Sequence, residues 1–233
     1  MSSYEFNHKQ LCVIANALGD LLPKVTFVGG CTTVLLVDEA AFSGVRQTED
    51  VDVIIDVSTY LEYQHFSKAL RERGFTEDID GPICRWLYNK TAANIKLDVM
   101  TTDEKALGFT NRWYKEALEH ALDYPLDEQL HIRVIDPVYF LATKFEAFLD
   151  RGKGDYFSHD LEDIVFILEN RSGFIHELLA ASDELKAYFS TQVSLLLNDD
   201  FLNILPGLVA LNASPQPVVN LLKIMATWPR ERE

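Results

Sequence analysis

The sequence predicts an α/β (α+β) fold in which a mixed sheet with flanking helices is followed by a C-terminal helical region. Three observations carry that reading. A short apolar strand, Val25–Val28, runs into Gly29-Gly30 and then a helix opening at Cys31 or Thr32. Strand-like runs with period-two alternation recur at 50–55, 83–88, 95–100 and 130–134. After Asp136-Pro137, where Asp136 is placed to cap a helix and Pro137 suits its first position, the apolar pattern turns helical and stays so. The chain is therefore read as a core over 1–135 and a helical region over 136–233.

In order, Tyr4–Leu22 is an amphipathic helix with Leu11, Ile14, Ala15, Leu18 and Leu22 on one side, ended by Pro23. In the strand at 50–55, alternation puts Asp50, Asp52 and Ile54 on one face and Val51, Val53 and Ile55 on the other. Ser58 is placed to cap a helix to Arg73, with Leu61, Phe66, Ala69 and Leu70 inward and Gly74 as its stop. Strands follow at Ile83–Tyr88, after Gly81-Pro82, and at Ile95–Met100, which is expected to neighbour the Asp50 strand. The polar stretch 101–128 holds a helix from Arg112 to Leu122, closed by Pro125, and reads as a lid or substrate loop. Helices are expected at 137–150, 158–170, 174–185, 187–205 and 218–226.

The 233 residues are 48% hydrophobic, ample for a core. No run approaches a membrane span, and MSSYEFNHKQ lacks the regions of an export signal, so a cytoplasmic location without membrane association is expected. Cys12, Cys31 and Cys84 have no metal spacing and read as ordinary thiols. The net charge of −15 runs against binding nucleic acid through phosphate neutralisation alone, and suits a cationic substrate or a basic protein partner.

The chemistry gathers in FVGGCTTVLLVDEAAFSGVRQTEDVDVIID, from Phe27 to Asp56. Glycines let a backbone approach a ligand closely, and a helix start offers N–H groups to an anion, so Gly29, Gly30 and the hydroxyls of Thr32 and Thr33 are candidates for holding a triphosphate. Residues i and i+2 of a strand lie about 6–7 Å apart, which lets Asp50 and Asp52 converge on one divalent ion or on a pair of them. Asp98 supplies a third carboxylate from a later strand. Arg46 is a candidate phosphate ligand, Thr48 is read as fixing the loop, and Arg85 is given no role.

Gly-Gly, then Asp-x-Asp about twenty residues on, then a third aspartate is the motif order of the nucleotidyltransferase superfamily that includes DNA polymerase β. Within it the chain resembles the AbiEii-type nucleotidyltransferase toxins of bacterial toxin–antitoxin systems, through Val28-Gly29-Gly30, Arg46-Gln47-Thr48-Glu49-Asp50-Val51-Asp52, Lys96-Leu97-Asp98, Lys144 and His159-Asp160-Leu161-Glu162-Asp163. The resemblance implies a nucleotidyltransferase core using a nucleoside triphosphate with Mg²⁺ or Mn²⁺ on Asp50, Asp52 and Asp98. It also implies a role for Lys144 and Asp160 in the active site, an RNA acceptor such as a tRNA end, and an antitoxin partner. Small-molecule (antibiotic) or protein acceptors, and a non-catalytic nucleotide-binding module, stand as alternatives. Helical periodicity puts Tyr139, Thr143, Glu146 and Asp150 on an exposed arc and Lys144 among Phe140, Leu141 and Phe148. It also turns Asp160 inward beside Leu161, Ile164, Ile167 and Leu168, with Asp163 at the margin. Arg151-Gly152-Lys153-Gly154 is read as a basic connection.

Overall fold

Residues 1–90, 94–150 and 154–230 are described by the computed structural model of the chain; the basic connection at Arg151-Gly152-Lys153 lies outside them. Helix α1, Ser3–Leu18, opens on a capping box in which Ser2 and Glu5 satisfy each other's backbone N–H groups. It stops at Leu18 rather than Leu22, because Gly19 at φ +53° turns the chain into a 3-10 stretch, Gly19–Lys24, that absorbs Pro23. Strand β1, Val25–Val28, is buried throughout. The glycine pair leads into a 3-10 turn, Gly30–Thr32, and a short helix α2, Thr33–Leu36. Strand β2, Asp50–Ile55, alternates half-buried and buried residues as far as Val53 and is wholly buried beyond it.

Helix α3, Tyr60–Glu72, is capped by Thr59, not Ser58, with Glu62 completing the box. Starting there, its buried positions are Tyr63, Phe66, Ser67 and Leu70, and Leu61 in the first turn is 65% exposed rather than inward. Strands β3, Phe75–Glu77, β4, Arg85–Tyr88, and β5, Ile95–Thr101, are followed by short helices α4, Glu104–Leu107, and α5, Tyr114–Glu119. Strand β6 then occupies Leu122–Pro125, where the sequence predicts the end of a helix, and pairs antiparallel with β7, His131–Val134. Ladder pairing outweighs local helical periodicity here. As the last strand of the sheet, β6 tolerates the missing N–H of Pro125.

Among the described residues seven strands form one sheet in the order β3-β4-β5-β2-β1-β7-β6. The pairs β2/β5 and β1/β7 are parallel and the others antiparallel, so the sheet is mixed, as predicted. Val51, Val53, Leu97, Val99 and Trp86 share one face by alternation. Helix α1 lies against β2 and β5, and the Trp86 indole N–H donates to the Tyr63 hydroxyl of α3 at 3.3 Å.

The rest of the chain is helical: α6, Pro137–Asp150; α7, His159–Asn170; α8, Phe174–Ala180; α9, Asp183–Leu196; α10, Asp199–Ile204; and α11, Gln216–Ala226. Asp136 Oδ1 accepts the Val138 N–H at the start of α6. The expected helices 174–185 and 187–205 are cut differently because Ser182 and Asn198 each cap a new helix, accepting the Leu185 and Phe201 N–H groups. Tyr139 and Thr143, expected on an exposed arc, are buried, Tyr139 stacked on His120 with ring centroids 4.9 Å apart. No described helix is long and apolar enough to cross a membrane.

The chain divides into two compact units, Met1–Leu35 with Val45–Phe140, and Leu36–Gly44 with Leu141–Glu233. In the second, α11 packs on α9 and α7, Phe145 meets Phe189 edge-on, and the Ser190 hydroxyl donates to the Trp228 carbonyl at 2.7 Å. Residues 36–44 join this unit through the Asp38 N–H, which donates to the Asn170 carbonyl, and through Arg171, which donates to the Leu36 carbonyl.

Two amides on the buried side of α1 position the loop before β2. Asn7 donates to the Arg46 carbonyl at 2.9 Å and accepts the Thr48 N–H at 3.0 Å, while Gln10 donates to the Thr48 carbonyl at 2.9 Å. Asn7 is fully buried. Replacing it by leucine strands two buried backbone groups, and Asn7→Leu is expected to lower unfolding free energy by about 2–4 kcal/mol in urea titrations.

Candidate functional site

Strand pairing sets a row of side chains across the face of the sheet opposite Val51 and Val53. Arg85 of β4 is the register partner of Asp98 on β5, Asp98 that of Asp52 on β2, and Asp52 that of Val28 on β1. Register partners project to the same face, so Asp52 and Asp98 stand side by side on strands about 4.8 Å apart. Asp50 shares the face two residues away, opposite Lys96. Lys96 itself pairs with Glu49 at 2.8 Å.

Three carboxylates so close repel one another unless positive charge stands among them, and Arg85 brings it to two of the three, Asp98 and Asp50. The Arg85 Nε donates to Asp98 Oδ1 at 2.8 Å, and its Nη2 donates to Asp98 Oδ2 at 2.7 Å and to Asp50 Oδ2 at 3.0 Å. The pair is a bidentate fork with a third contact. Hydrogen bonding to Asp98, and then the negative charges of Asp98 and Asp50, hold the guanidinium above its ordinary range. The sequence reading gave Arg85 no role. The signal was present: with 85–88 antiparallel to 95–101, alternation places Arg85 on the aspartate face.

At the other end of the row, the Asp52 carboxylate packs on Gly29. A Cβ at Gly29 would overlap Oδ2 of Asp52, and the residue adopts φ +72°, so glycine is required both for conformation and for space. Gly30 begins the following turn and is buried. The Thr32 N–H and hydroxyl both donate to the Gly29 carbonyl, at 3.2 and 2.8 Å, closing that turn. Thr33 is buried in the first position of α2. The start expected of a full helix is thus a 3-10 turn backed by four helical residues.

Arg46 is half-buried beside this loop, its carbonyl held by Asn7, and Thr48 is fixed by Asn7 and Gln10. Cys31 donates weakly to the Asn7 carbonyl at 3.5 Å. Burial pushes both the Cys31 and the Cys84 thiols up to about 12, which keeps them protonated and unreactive.

In the helical unit, Lys144 of α6 is buried with its ammonium 3.1 Å from Asp160 Oδ1 and 2.7 Å from Asp163 Oδ2, both on α7. Asp160 and Asp163 are three residues apart on one buried side of that helix, which lets one lysine meet both. His159 is exposed and turns to Glu162.

Carboxylate oxygens suit a hard divalent cation in donor chemistry, and the Arg85 guanidinium already holds a positive charge on two of the three groups. By donor chemistry alone Asp50 and Asp52 suit such an ion. Oδ2 of Asp50 is turned to Arg85 and Oδ2 of Asp52 lies against Gly29, and among the described residues no three His, Cys, Asp or Glu side chains are arranged as a ligand set.

A mixed sheet with glycine turn and aspartate pair on adjacent strands, and a third aspartate in register, is the arrangement that the motif order leads one to expect of a nucleotidyltransferase. Residues 21–205 match the family described as nucleotidyl transferase AbiEii toxin, type IV toxin–antitoxin system, and the chain belongs to that family. Among solved structures it is similar to that of an antigenic nucleotidyltransferase-like protein from Paracoccidioides brasiliensis, with a TM-score of 0.51 and 16% identity over 98% of this chain and 95% of that one. At this identity the likeness concerns the fold. A comparison with curated proteins gives no match.

Two substitutions probe the geometry. Gly29→Ala sets a methyl group against the Asp52 carboxylate at a positive φ, and is expected to cost about 2–4 kcal/mol in denaturant melts. Lys144→Met removes the cation between two buried carboxylates, and a loss of about 3–5 kcal/mol is expected by the same measurement.

Proposed function

We propose that the protein transfers a nucleoside monophosphate from a nucleoside triphosphate to a hydroxyl of RNA, with a tRNA end as the acceptor, and that a cognate antitoxin restrains it. The observation that carries this reading is the row itself: Asp50, Asp52 and Asp98 share one face, with Asp52 seated on Gly29. Membership of the AbiEii family supports the triphosphate donor and the antitoxin partner.

In the reaction the acceptor oxygen attacks the α-phosphorus in line, the bond to the β-phosphate oxygen breaks, and pyrophosphate leaves. Asp50 and Asp52, with Asp98 as the third carboxylate, would hold Mg²⁺ or Mn²⁺, which would supply Lewis-acid neutralisation of the phosphate charge. Gly29 and Gly30, with the turn made by Thr32 and Thr33, present backbone to the β- and γ-phosphates, and Arg46 adds charge from the adjoining loop. Asp98 takes the proton of the acceptor hydroxyl. Lys144 is assigned to the triphosphate charge and Asp160 to setting the lysine's position, the roles that the family resemblance gives them. Their buried ion pair supports a fixed ammonium.

The acidic balance of the chain favours one second reading, a cationic small-molecule acceptor such as an aminoglycoside. The test is label transfer from each α-³²P nucleoside triphosphate, with Mg²⁺, into separate pools of RNA, protein and aminoglycosides. Label is expected in RNA, and Asp52→Asn is expected to reduce it by about a thousandfold or more. Label in the aminoglycoside or protein pool would replace the RNA reading. Transfer that survives Asp52→Asn unchanged would move the chemistry away from this face.

A further inference from the structure

The reaction just described asks Asp98 to take a proton and to share a cation, yet both of its oxygens accept hydrogen bonds from Arg85. A bidentate guanidinium covers the lone pairs a metal ion would use. Asp50, the first carboxylate of the pair on β2, carries the third contact. Arg85 thus occupies two of the three groups on which the reaction depends.

We propose that Arg85 is the resident counter-ion of the carboxylate row, a positioning residue that holds Asp98 and Asp50 in place and competes with the divalent cation for them. The proposal rests on the nucleotidyl-transfer reading. Three features of the fold make the device built-in. The antiparallel register of β4 on β5 pairs Arg85 with Asp98 directly, so the fork is set by the strand ladder. The exchange needs no unpacking of the core, because the Arg85 side chain is 20% exposed and that of Asp50 35%.

The third feature is a second resting place. A Cβ at Gly81 would lie 2.7 Å from Asp78 Oδ2 and 3.0 Å from Arg85 Cδ, so the Asp78 carboxylate and the arginine stem flank the same small space. The turn that carries Asp78 is tied to β4, its N–H donating to the Arg85 carbonyl at 3.1 Å. On leaving Asp98 the guanidinium finds another carboxylate beside its own stem, and it need not be released uncompensated into water. Cation binding and the freeing of Asp98 are then one event.

The test is direct titration of Mn²⁺ by electron paramagnetic resonance on the full chain, without nucleotide. An Arg85 that is engaged about nine-tenths of the time reduces apparent cation affinity about tenfold, so Arg85→Gln is expected to bind Mn²⁺ about tenfold more tightly than the native chain. Asp52→Asn is expected to lose the site. Because Arg85→Gln leaves Asp98 buried without its arginine and risks misfolding, a second pair carries the same comparison: R85Q/D98N is expected to bind several-fold more tightly than D98N, in which Arg85 still holds Asp50. Equal or weaker binding on removing Arg85 in both backgrounds, with Asp52→Asn still abolishing it, overturns the counter-ion role and leaves the nucleotidyl-transfer reading standing. Binding indifferent to Asp52→Asn, or no binding by any variant, overturns both.

Discussion

The parallel pairing of β2 with β5 is the constraint on which the site depends. It puts Asp52 and Asp98 in register, and since side chains alternate strictly along a strand, a slip of one residue would send Asp98 into the core and Leu97 to the surface. The register is held from the core side, where Val51, Val53, Leu97 and Val99 are fully buried. The apolar half of the strand pair thus pays for the polar half: hydrophobic burial on one face fixes like charges together on the other. Arg85, itself in register with Asp98 on the next strand, makes that arrangement tolerable by joining Asp98 to Asp50.

Much of this was legible before any coordinates. The sequence places Asp50 and Asp52 on one face of a strand and Asp98 on its neighbour, because period-two alternation is a strong local signal. The strands follow from period-two alternation and the helical remainder from the 3.6-residue period, while the mixed sheet is what the family resemblance implies. Arg85 was missed because its meaning lies in pairing: only the antiparallel register of β4 against β5 reveals what it faces. Asn7 and Gln10 were passed over as helix residues, although each precedes an inward residue, Leu11 and Ile14, by one turn. A buried amide on an apolar arc asks for a backbone partner. Strand β6 was hidden by a helical pattern that continued into it, and Pro125 read as a helix stop where it marks a sheet edge.

The helical unit shows the opposite economy. Lys144, Asp160 and Asp163 are all buried, and a charged cluster of this kind is seldom a gain over apolar packing. Such a cluster holds the ammonium in a single position between two carboxylates. The acidic balance of the whole chain has a related reading, since carboxylates placed for a cation and for a lysine add to the excess that a basic partner would meet.

The central claim is that the face bearing Asp50, Asp52 and Asp98 is where triphosphate and cation meet. It is tested most directly by a crystal structure with Mn²⁺ and an α,β-methylene nucleoside triphosphate analogue, reading the anomalous signal of manganese. The expected result is a manganese peak bounded by the Asp50 and Asp52 carboxylates, with the triphosphate against Gly29 and Gly30. Manganese and triphosphate bound elsewhere, with these carboxylates still turned to Arg85 and Gly29, would contradict it.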